Sequence, residues 1–139
     1  MAKITSVSPL APAAFPELPV IQGVRFATIA AGVRYQGRTD VILAQLDPGT
    51  AIAGAYTRSA TRSAPVLDCQ AKTGGAADQG AAILVNSGNS NAFTGKGGVA
   101  AVKAIAKATA KAFGVPESRE FTSSTGVIGE PLPFERITA

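Results

Sequence analysis

Histidine is absent from the 139-residue sequence, and cysteine occurs once, as Cys69. A Ser–His–Asp triad, a Cys–His dyad and a histidine-ligated metal site therefore cannot be assembled from this chain alone. A single cysteine also excludes an internal disulfide and a thiolate metal cage. A reducing compartment suits this composition, and the stability of the fold must come from packing.

Tryptophan is also absent, and only six Phe and two Tyr are present. Charged residues make up 16% of the chain, against about 25% in average proteins. Because 46% of the residues are hydrophobic, disorder is not expected, and the core must be built from Ala, Val, Ile and Leu. The length corresponds to one domain on the usual scale of ~100–200 residues.

Clustered positive charge and long apolar runs are missing as well. The net charge of +4 is modest, and the basic residues are scattered without interleaved aromatic residues, so we expect no nucleic-acid partner. No run approaches the roughly 18 apolar residues of a membrane span. The first 19 residues resemble neither a signal peptide nor a transit peptide. We therefore expect a cytoplasmic protein with no membrane partner.

Composition changes along the chain predict an arm followed by a mixed α/β domain. Residues 1–19 contain four prolines and predict an extended N-terminal arm, and residues 20–139 form the domain. Two strands are predicted at 23–32 and 39–47, with a hairpin loop at 35–38. A third strand at 51–57 is expected to complete a three-stranded antiparallel sheet.

The second half of the chain predicts a strand, a helix and a further strand. Residues 80–85 have the pattern of a buried strand, and residues 64–67 fit either a brief helix or a strand. Apolar residues recur at helical spacing over 98–113, before Gly114 as a C-cap. The lysines at 103, 107 and 111 are interpreted as a solvated face. A short strand at 119–123 completes a crossover unit.

An asparagine-rich segment, from Asn86 to Gly98, lies between the predicted strand and helix. A loop before a helix N-terminus favours anions, so a phosphate site is one interpretation. The glycine spacing matches neither the Walker nor the dinucleotide pattern, because six residues separate Gly88 from Gly95. The other interpretation is structural, with the asparagine amides bonding the backbone of the loop.

A second candidate is the segment from Ser123 to Gly129, in which Thr125 is followed directly by Gly126. A hydroxyl and a backbone N–H that point to one place can hold a developing oxyanion. A plain turn that needs glycine for a positive φ angle is the alternative. We expect a tight bend at this position.

These segments, in their order, resemble the ornithine acetyltransferase family, the glutamate N-acetyltransferases of arginine biosynthesis. The resemblance runs from about Val20 to Ile137. Its most specific motifs are Val85-Asn86-Ser87-Gly88-Asn89-Ser90-Asn91-Ala92-Phe93-Thr94-Gly95 and Ser124-Thr125-Gly126-Val127-Ile128-Gly129-Glu130-Pro131-Leu132-Pro133. Shorter matching motifs are Gly23-Val24-Arg25-Phe26, Ala30-Ala31-Gly32-Val33 and Ala64-Pro65-Val66.

The resemblance implies an acyltransferase with an α/β sandwich-like fold that cuts its own precursor between an Ala and a Thr. The new N-terminal Thr of the β chain would take the acetyl group from N-acetylornithine and pass it to glutamate in a ping-pong reaction. It implies no cofactor, with acetyl-CoA as a further possible substrate, and an α2β2 heterotetramer. Such chemistry needs no histidine.

Two residues of this chain match the functional positions of the family. Thr125 would donate its hydroxyl, and Gly126 its backbone N–H, to the oxyanion. The nucleophilic Thr lies outside the sequence, so we expect an N-terminal piece of the α chain that is inactive alone. The asparagine-rich segment would support the active-site cleft. The alternatives are a related N-terminal-nucleophile aminopeptidase and a small anion- or nucleotide-binding module.

Overall fold

The computed structural model describes residues 6–139 and contains one four-stranded sheet with helices packed against it. The strands are β1 (Val24–Ile29), β2 (Val41–Leu46), β3 (Ala81–Asn89) and β4 (Glu120–Val127). The helices are α1 (Ala64–Lys72), α2 (Gly95–Phe113) and α3 (Glu135–Thr138), with a 3-10 turn at Glu117–Arg119 before β4. No helix within residues 6–139 is long and apolar enough to cross a membrane.

The sheet has the strand order β1-β2-β3-β4. The pairs β1–β2 and β2–β3 are antiparallel, whereas β3 and β4 are parallel. Helix α2 connects the two parallel strands, as a parallel pair requires a crossover connection. The predicted mixed α/β class, the antiparallel pairing of the first two strands and the strand–helix–strand unit are confirmed.

The main core lies between α2 and one face of the sheet. Ile105 of α2 is 1% exposed and clusters with Val41, Leu43 and Leu84 of the central strands. Burying one side chain of this size contributes about 1.5–3 kcal/mol. The α2 lysines at 103, 107 and 111 are exposed, as predicted for a solvated face. Gly114 ends α2 with a φ of 65°, in the left-handed conformation expected of a C-cap.

The opposite face of the sheet is apolar and only partly covered, since Phe121 is buried and Ile83 half-buried. Cross-strand pairing aligns Phe26 with Ala44, Ile83 and Phe121 in one row across all four strands. Phe26 is 64% exposed, although it is a large apolar side chain. We call this side of the sheet the open face. Because side chains alternate along a strand, Ser123 and Thr125 of β4 lie on the same side as Phe121.

Asp40 organises the connection between β1 and β2. It is buried, and its two carboxylate oxygens accept hydrogen bonds from the backbone N–H groups of Ala31 at 2.7 Å and Val33 at 2.6 Å. Its own backbone N–H donates to Ile29, and its carbonyl accepts from Ser87 of β3. One side chain therefore fixes a loop that would otherwise leave buried amides unpaired.

The prediction of a third strand at 51–57 is wrong, because this segment forms neither a strand nor a helix. The position next to β2 is taken by β3 instead. Four small residues surround Ile52 in this segment, so it offers few of the bulky side chains that stabilise a strand. It is tied to α1 by a hydrogen bond between the hydroxyls of Tyr56 and Thr73.

The predicted arm and element bounds differ from the structure in smaller ways. Residues 1–5 of the arm lie outside the described residues, and residues 6–19 are exposed and form no helix or strand. The ambiguous segment at 64–67 is the start of helix α1. Strand β3 continues four residues beyond its predicted end, to Asn89, and α2 begins at Gly95 rather than at residue 98.

Candidate functional site

Thr125 and Gly126 lie within strand β4, where they pair with Ser87 and Gly88 of β3. The expectation of a tight bend at these two residues is therefore wrong, and the chain bends only after Val127. The cause is the length of β3, which continues into the asparagine-rich segment and provides parallel partners for the whole of β4. The two candidate residues are thus held on a sheet rather than on a loop.

Gly126 lies unusually close to the neighbouring strand. Its φ is 135°, a backbone conformation that side chains disfavour. A Cβ at this position would lie 2.3 Å from the carbonyl carbon of Gly88 and 2.6 Å from the backbone nitrogen of Asn89. Gly126 is therefore required by its φ angle and by the close approach of two backbones.

The side chain of Thr125 is exposed on the open face. Its hydroxyl makes no hydrogen bond to any other residue in the described part of the chain. A hydroxyl that forms part of the packing would normally have a partner. This hydroxyl is consequently available to donate to a molecule that approaches the open face.

The backbone N–H of Gly126 belongs to the outer edge of the sheet. Lys72 and Cys69 of α1 donate to the carbonyl oxygens of Glu120 and Thr122, so even-numbered residues of β4 direct their backbone groups away from β3. The carbonyl of Val127 accepts instead from Ser90, at the end of β3. Backbone directions alternate along a regular strand, so the position of Gly126 falls among the outward-directed residues. It lies on the edge of β4 that no further strand within residues 6–139 covers.

Asn86 joins the two strands beneath this site. Its side chain is 1% exposed. Its Nδ2 donates to the carbonyl of Asn89 at 2.9 Å, and its Oδ1 accepts from the Ser124 hydroxyl at 2.6 Å. Ser124 is the cross-strand partner of Asn86 and immediately precedes Thr125.

The other asparagines of the segment also bond to the protein itself. Asn89 donates to the carbonyls of Glu130 and Pro131, and it accepts from the backbone N–H of Asn91. Asn91 has a φ of 47°, which asparagine tolerates better than most residues. It donates to Gly98 and accepts from Thr94. These bonds fix the start of α2 and the chain after β4.

The predicted loop at 86–98 is therefore much shorter than expected, because β3 includes Asn89 and α2 begins at Gly95. The amide groups of Asn86, Asn89 and Asn91 serve the backbone, as the structural interpretation of this segment requires. Within residues 6–139, no group of three or more Cys, Asp or Glu is placed to hold a metal ion.

A buried carboxylate lies at the opposite end of β4. Glu120 is 0% exposed, and neither of its carboxylate oxygens has a hydrogen-bond partner within residues 6–139. Lys72 lies 3.8 Å away but also contacts Asp68 at 2.5 Å. Burial raises the pKa of Glu120 to about 7, although the nearby Lys72 ammonium opposes this rise.

Sequence reasoning missed three polar residues that shape the site and its strand: Asp40, Ser124 and Glu120. The sequence pattern places Asp40 and Glu120 within predicted strands and indicates no separate role for either. Their roles depend on which backbone groups and side chains the fold places beside them. The alternation of polar residues along β4 was a signal that Ser124 faces Asn86, but it required the β3–β4 register.

Comparison with known proteins agrees with this fold. The model of the ArgJ family matches residues 25–139. The chain is 74% identical over its whole length to the arginine biosynthesis bifunctional protein ArgJ of Ruegeria pomeroyi, and it covers 34% of that protein. It is 57% identical over 128 residues to the protein of the same name from Bradyrhizobium diazoefficiens, of which it covers 30%. The chain thus spans about a third of the length of these relatives.

Two solved structures have the same arrangement. The crystal structure of arginine biosynthesis bifunctional protein argJ from Bacillus halodurans matches with a TM-score of 0.77 at 33% identity, over 84% of this chain and 60% of that one. Ornithine acetyltransferase of Mycobacterium tuberculosis, solved with ornithine, matches with a TM-score of 0.72 at 32% identity, over 84% and 63% of the two chains. The sequence and the structure together establish that this chain belongs to the ArgJ family.

Proposed function

We propose that this chain supplies the oxyanion hole of an acetyltransferase that moves an acetyl group from N-acetylornithine to glutamate. The observation that carries the proposal is the pair of adjacent donors at the edge of β4. The Thr125 hydroxyl is exposed without an intramolecular partner among residues 6–139, and the Gly126 N–H belongs to the outer set of backbone groups. Two such donors can stabilise the negative oxygen of a tetrahedral intermediate.

The reaction has two acyl-transfer steps. The hydroxyl of an N-terminal threonine on a partner β chain attacks the acetyl carbon of N-acetylornithine, and its own α-amine takes the proton. The C–N bond then breaks, and ornithine leaves with a proton on its amine. The amine of glutamate attacks the resulting threonine ester and gives up a proton to the α-amine of that threonine. The ester C–O bond then breaks, and the threonine oxygen leaves with this proton. Thr125 and Gly126 donate to the carbonyl oxygen whenever it carries negative charge.

The β chain is proposed to come from the same precursor by self-cleavage between an Ala and a Thr, and to assemble with this chain as α2β2. The relatives are about three times as long as this chain, which supports an origin of both chains from one longer precursor. The exposed apolar residues of the open face, on the side to which Thr125 points, support an approach of the β chain from that side. We further propose acetyl-CoA as an additional donor, and the cytoplasm as the location, since Cys69 is a free thiol.

The test uses a chimaera in which this chain replaces the matching third of the Ruegeria pomeroyi relative, to which it is 74% identical. Acetyl transfer from N-acetylornithine to glutamate is measured per cleaved molecule, and self-cleavage is followed separately on gels. Thr125→Ala is expected to lower kcat roughly 10²–10³-fold with little change in KM, as for other oxyanion donors. Self-cleavage should also slow, because it passes through a similar oxyanion.

Thr125→Ser is the matched control, since it retains the hydroxyl and should retain most of the activity. A Thr125→Ala chimaera with unchanged kcat and unchanged self-cleavage would refute the proposed role. A chimaera that transfers no acetyl group from either N-acetylornithine or acetyl-CoA would refute the reaction itself.

A further inference from the structure

We propose that Asn86 and Ser124 form a positioning pair that sets the place of the oxyanion donors. This inference rests on the proposed function, because the pair is argued to act through Thr125 and Gly126. Neither residue is proposed to contact a substrate or the reacting atoms.

The pair forms a polar link between the two parallel strands. The Ser124 hydroxyl donates to the Asn86 Oδ1 at 2.6 Å. The Asn86 Nδ2 is held in turn by the carbonyl of Asn89, at 2.9 Å. With both ends of its amide bonded and its side chain 1% exposed, Asn86 has one orientation available to it. It is therefore a rigid anchor for the residue that precedes Thr125.

Strand β4 needs such an anchor because it lies at the edge of the sheet. Only one side of its backbone is held by a strand, and Gly126 has no side chain that could restrict its conformation. On the far side of the two donors, the backbone N–H and hydroxyl of Ser90 donate to the carbonyl of Val127, at 3.0 and 2.8 Å. The segment with Thr125 and Gly126 is thus fixed at both ends by side chains from β3 and the residue that follows it.

A positioning role predicts an effect on kcat that depends on Thr125. A displacement of about 1 Å at a catalytic group can cost 10²-fold in rate, but loss of one hydrogen bond leaves the ladder of β4 in place. We therefore expect Ser124→Ala to lower kcat about 3- to 10-fold, with KM changed less than twofold. Ser124→Thr keeps the hydroxyl and should restore kcat to within about twofold.

The control is Ser118→Ala, which removes a hydroxyl from the 3-10 turn before β4, away from the proposed donors. Ser118 is exposed, and its side chain makes no hydrogen bond to another described residue. Its replacement should leave kcat within about twofold of the parent. Asn86→Leu is expected to lower kcat at least as much as Ser124→Ala, but it leaves the Asn89 carbonyl unpaired and can impair folding, so Ser124 carries the test.

The decisive experiment is a double-mutant cycle in the chimaera. If Ser124 acts by placing the two donors, then Ser124→Ala should lower kcat by a clearly smaller factor in a Thr125→Ala background, in which only Gly126 is left to be placed. Equal fold-losses in both backgrounds, or an unchanged kcat for Ser124→Ala alone, would overturn the positioning role. The proposed function is judged separately, because it fails only if Thr125→Ala itself leaves catalysis and self-cleavage unchanged.

Discussion

The buried carboxylate of Glu120 should make this region of the protein sensitive to pH near neutrality. Its pKa is raised from the ordinary 4.5 to about 7, because burial disfavours the charged form more strongly than Lys72 favours it. Lys72 is drawn away by Asp68 and by the backbone carbonyl of Glu120, to which it donates at 3.0 Å. The carboxylate oxygens are left without a hydrogen bond from any described residue.

The size of the effect follows from this rise in pKa. Each pKa unit corresponds to ~1.4 kcal/mol, so the folded protein binds the Glu120 proton about 3 kcal/mol more tightly than the unfolded chain. That stabilisation is complete below pH 4.5, decreases as the pH rises and is lost once the pH passes about 7. Glu120→Gln resembles the protonated acid at every pH. Relative to the parent, the variant should therefore gain about 3 kcal/mol of stability between pH 4.5 and pH 7.5.

Two measurements on the chimaera check this expectation. Carbon NMR of labelled glutamate carboxyl groups should show a signal with a midpoint near pH 7 that is absent from Glu120→Gln. Hydrogen exchange of β4 and α1 amides should report a stability difference between variant and parent that grows with pH. The control Glu117→Gln removes an exposed carboxylate from the adjacent 3-10 turn. A midpoint below pH 5, or a difference independent of pH, would refute the reasoning.

Two further predictions concern the backbone of the site and the loop beneath it. Gly126→Ala should abolish most acetyl transfer in the chimaera, because its Cβ would meet Gly88 backbone at 2.3 Å, and backbone strain alone costs about 1–3 kcal/mol. Gly129→Ala, at a φ of 81° with open space around the Cβ, is the control for strain without a clash, and an equal loss in both would contradict the close-approach argument. Asp40→Asn should cost about 1–3 kcal/mol, since an amide can accept from only one of the Ala31 and Val33 N–H groups. Hydrogen exchange at the Ala31 and Val33 amides measures this loss of stability, and unchanged protection of both amides would contradict the prediction.

Helix α2 could be predicted from sequence because the residues that determine it lie within the helix and at its end. The apolar period and the Gly114 cap both act within one segment, and the structure places Val102, Ile105 and Ala106 in the core. The same is true of the hydrophobic centres of β2 and β3, whose runs of Val, Ile and Leu are typical of buried strands. The observed ends differ from the predicted ones where pairing with another strand lengthens an element, as pairing with β4 does for β3.

The wrong third strand shows the limit of local patterns. The apolar residues at 51–57 resemble a strand as well as residues 81–85 do, but only one segment could pair with β2. Ile83 and Leu84 offer bulk to both sides of the sheet, whereas the rival segment is mostly alanine and glycine. Residues 51–57 and 81–85 are both candidates for the same edge of β2. Local sequence patterns describe each segment separately, so they do not show which of the two pairs better with β2.

The candidate site combines local and distant information in the same way. The adjacency of Thr125 and Gly126 is a property of the sequence, and so is their potential as donors. Whether the two donors are free to bind another molecule depends on the sheet. β4 is an edge strand, and its even-numbered positions, including Gly126, direct their backbone groups away from β3. The register pairs Asn86 with Ser124 and Gly88 with Gly126. A shift by one residue would turn Thr125 to the core face and place a side chain against Gly126. The chemistry proposed for these two residues therefore depends on the β3–β4 register, which the hydrogen bonds of Asn86 with Ser124 and of Ser90 with Val127 support.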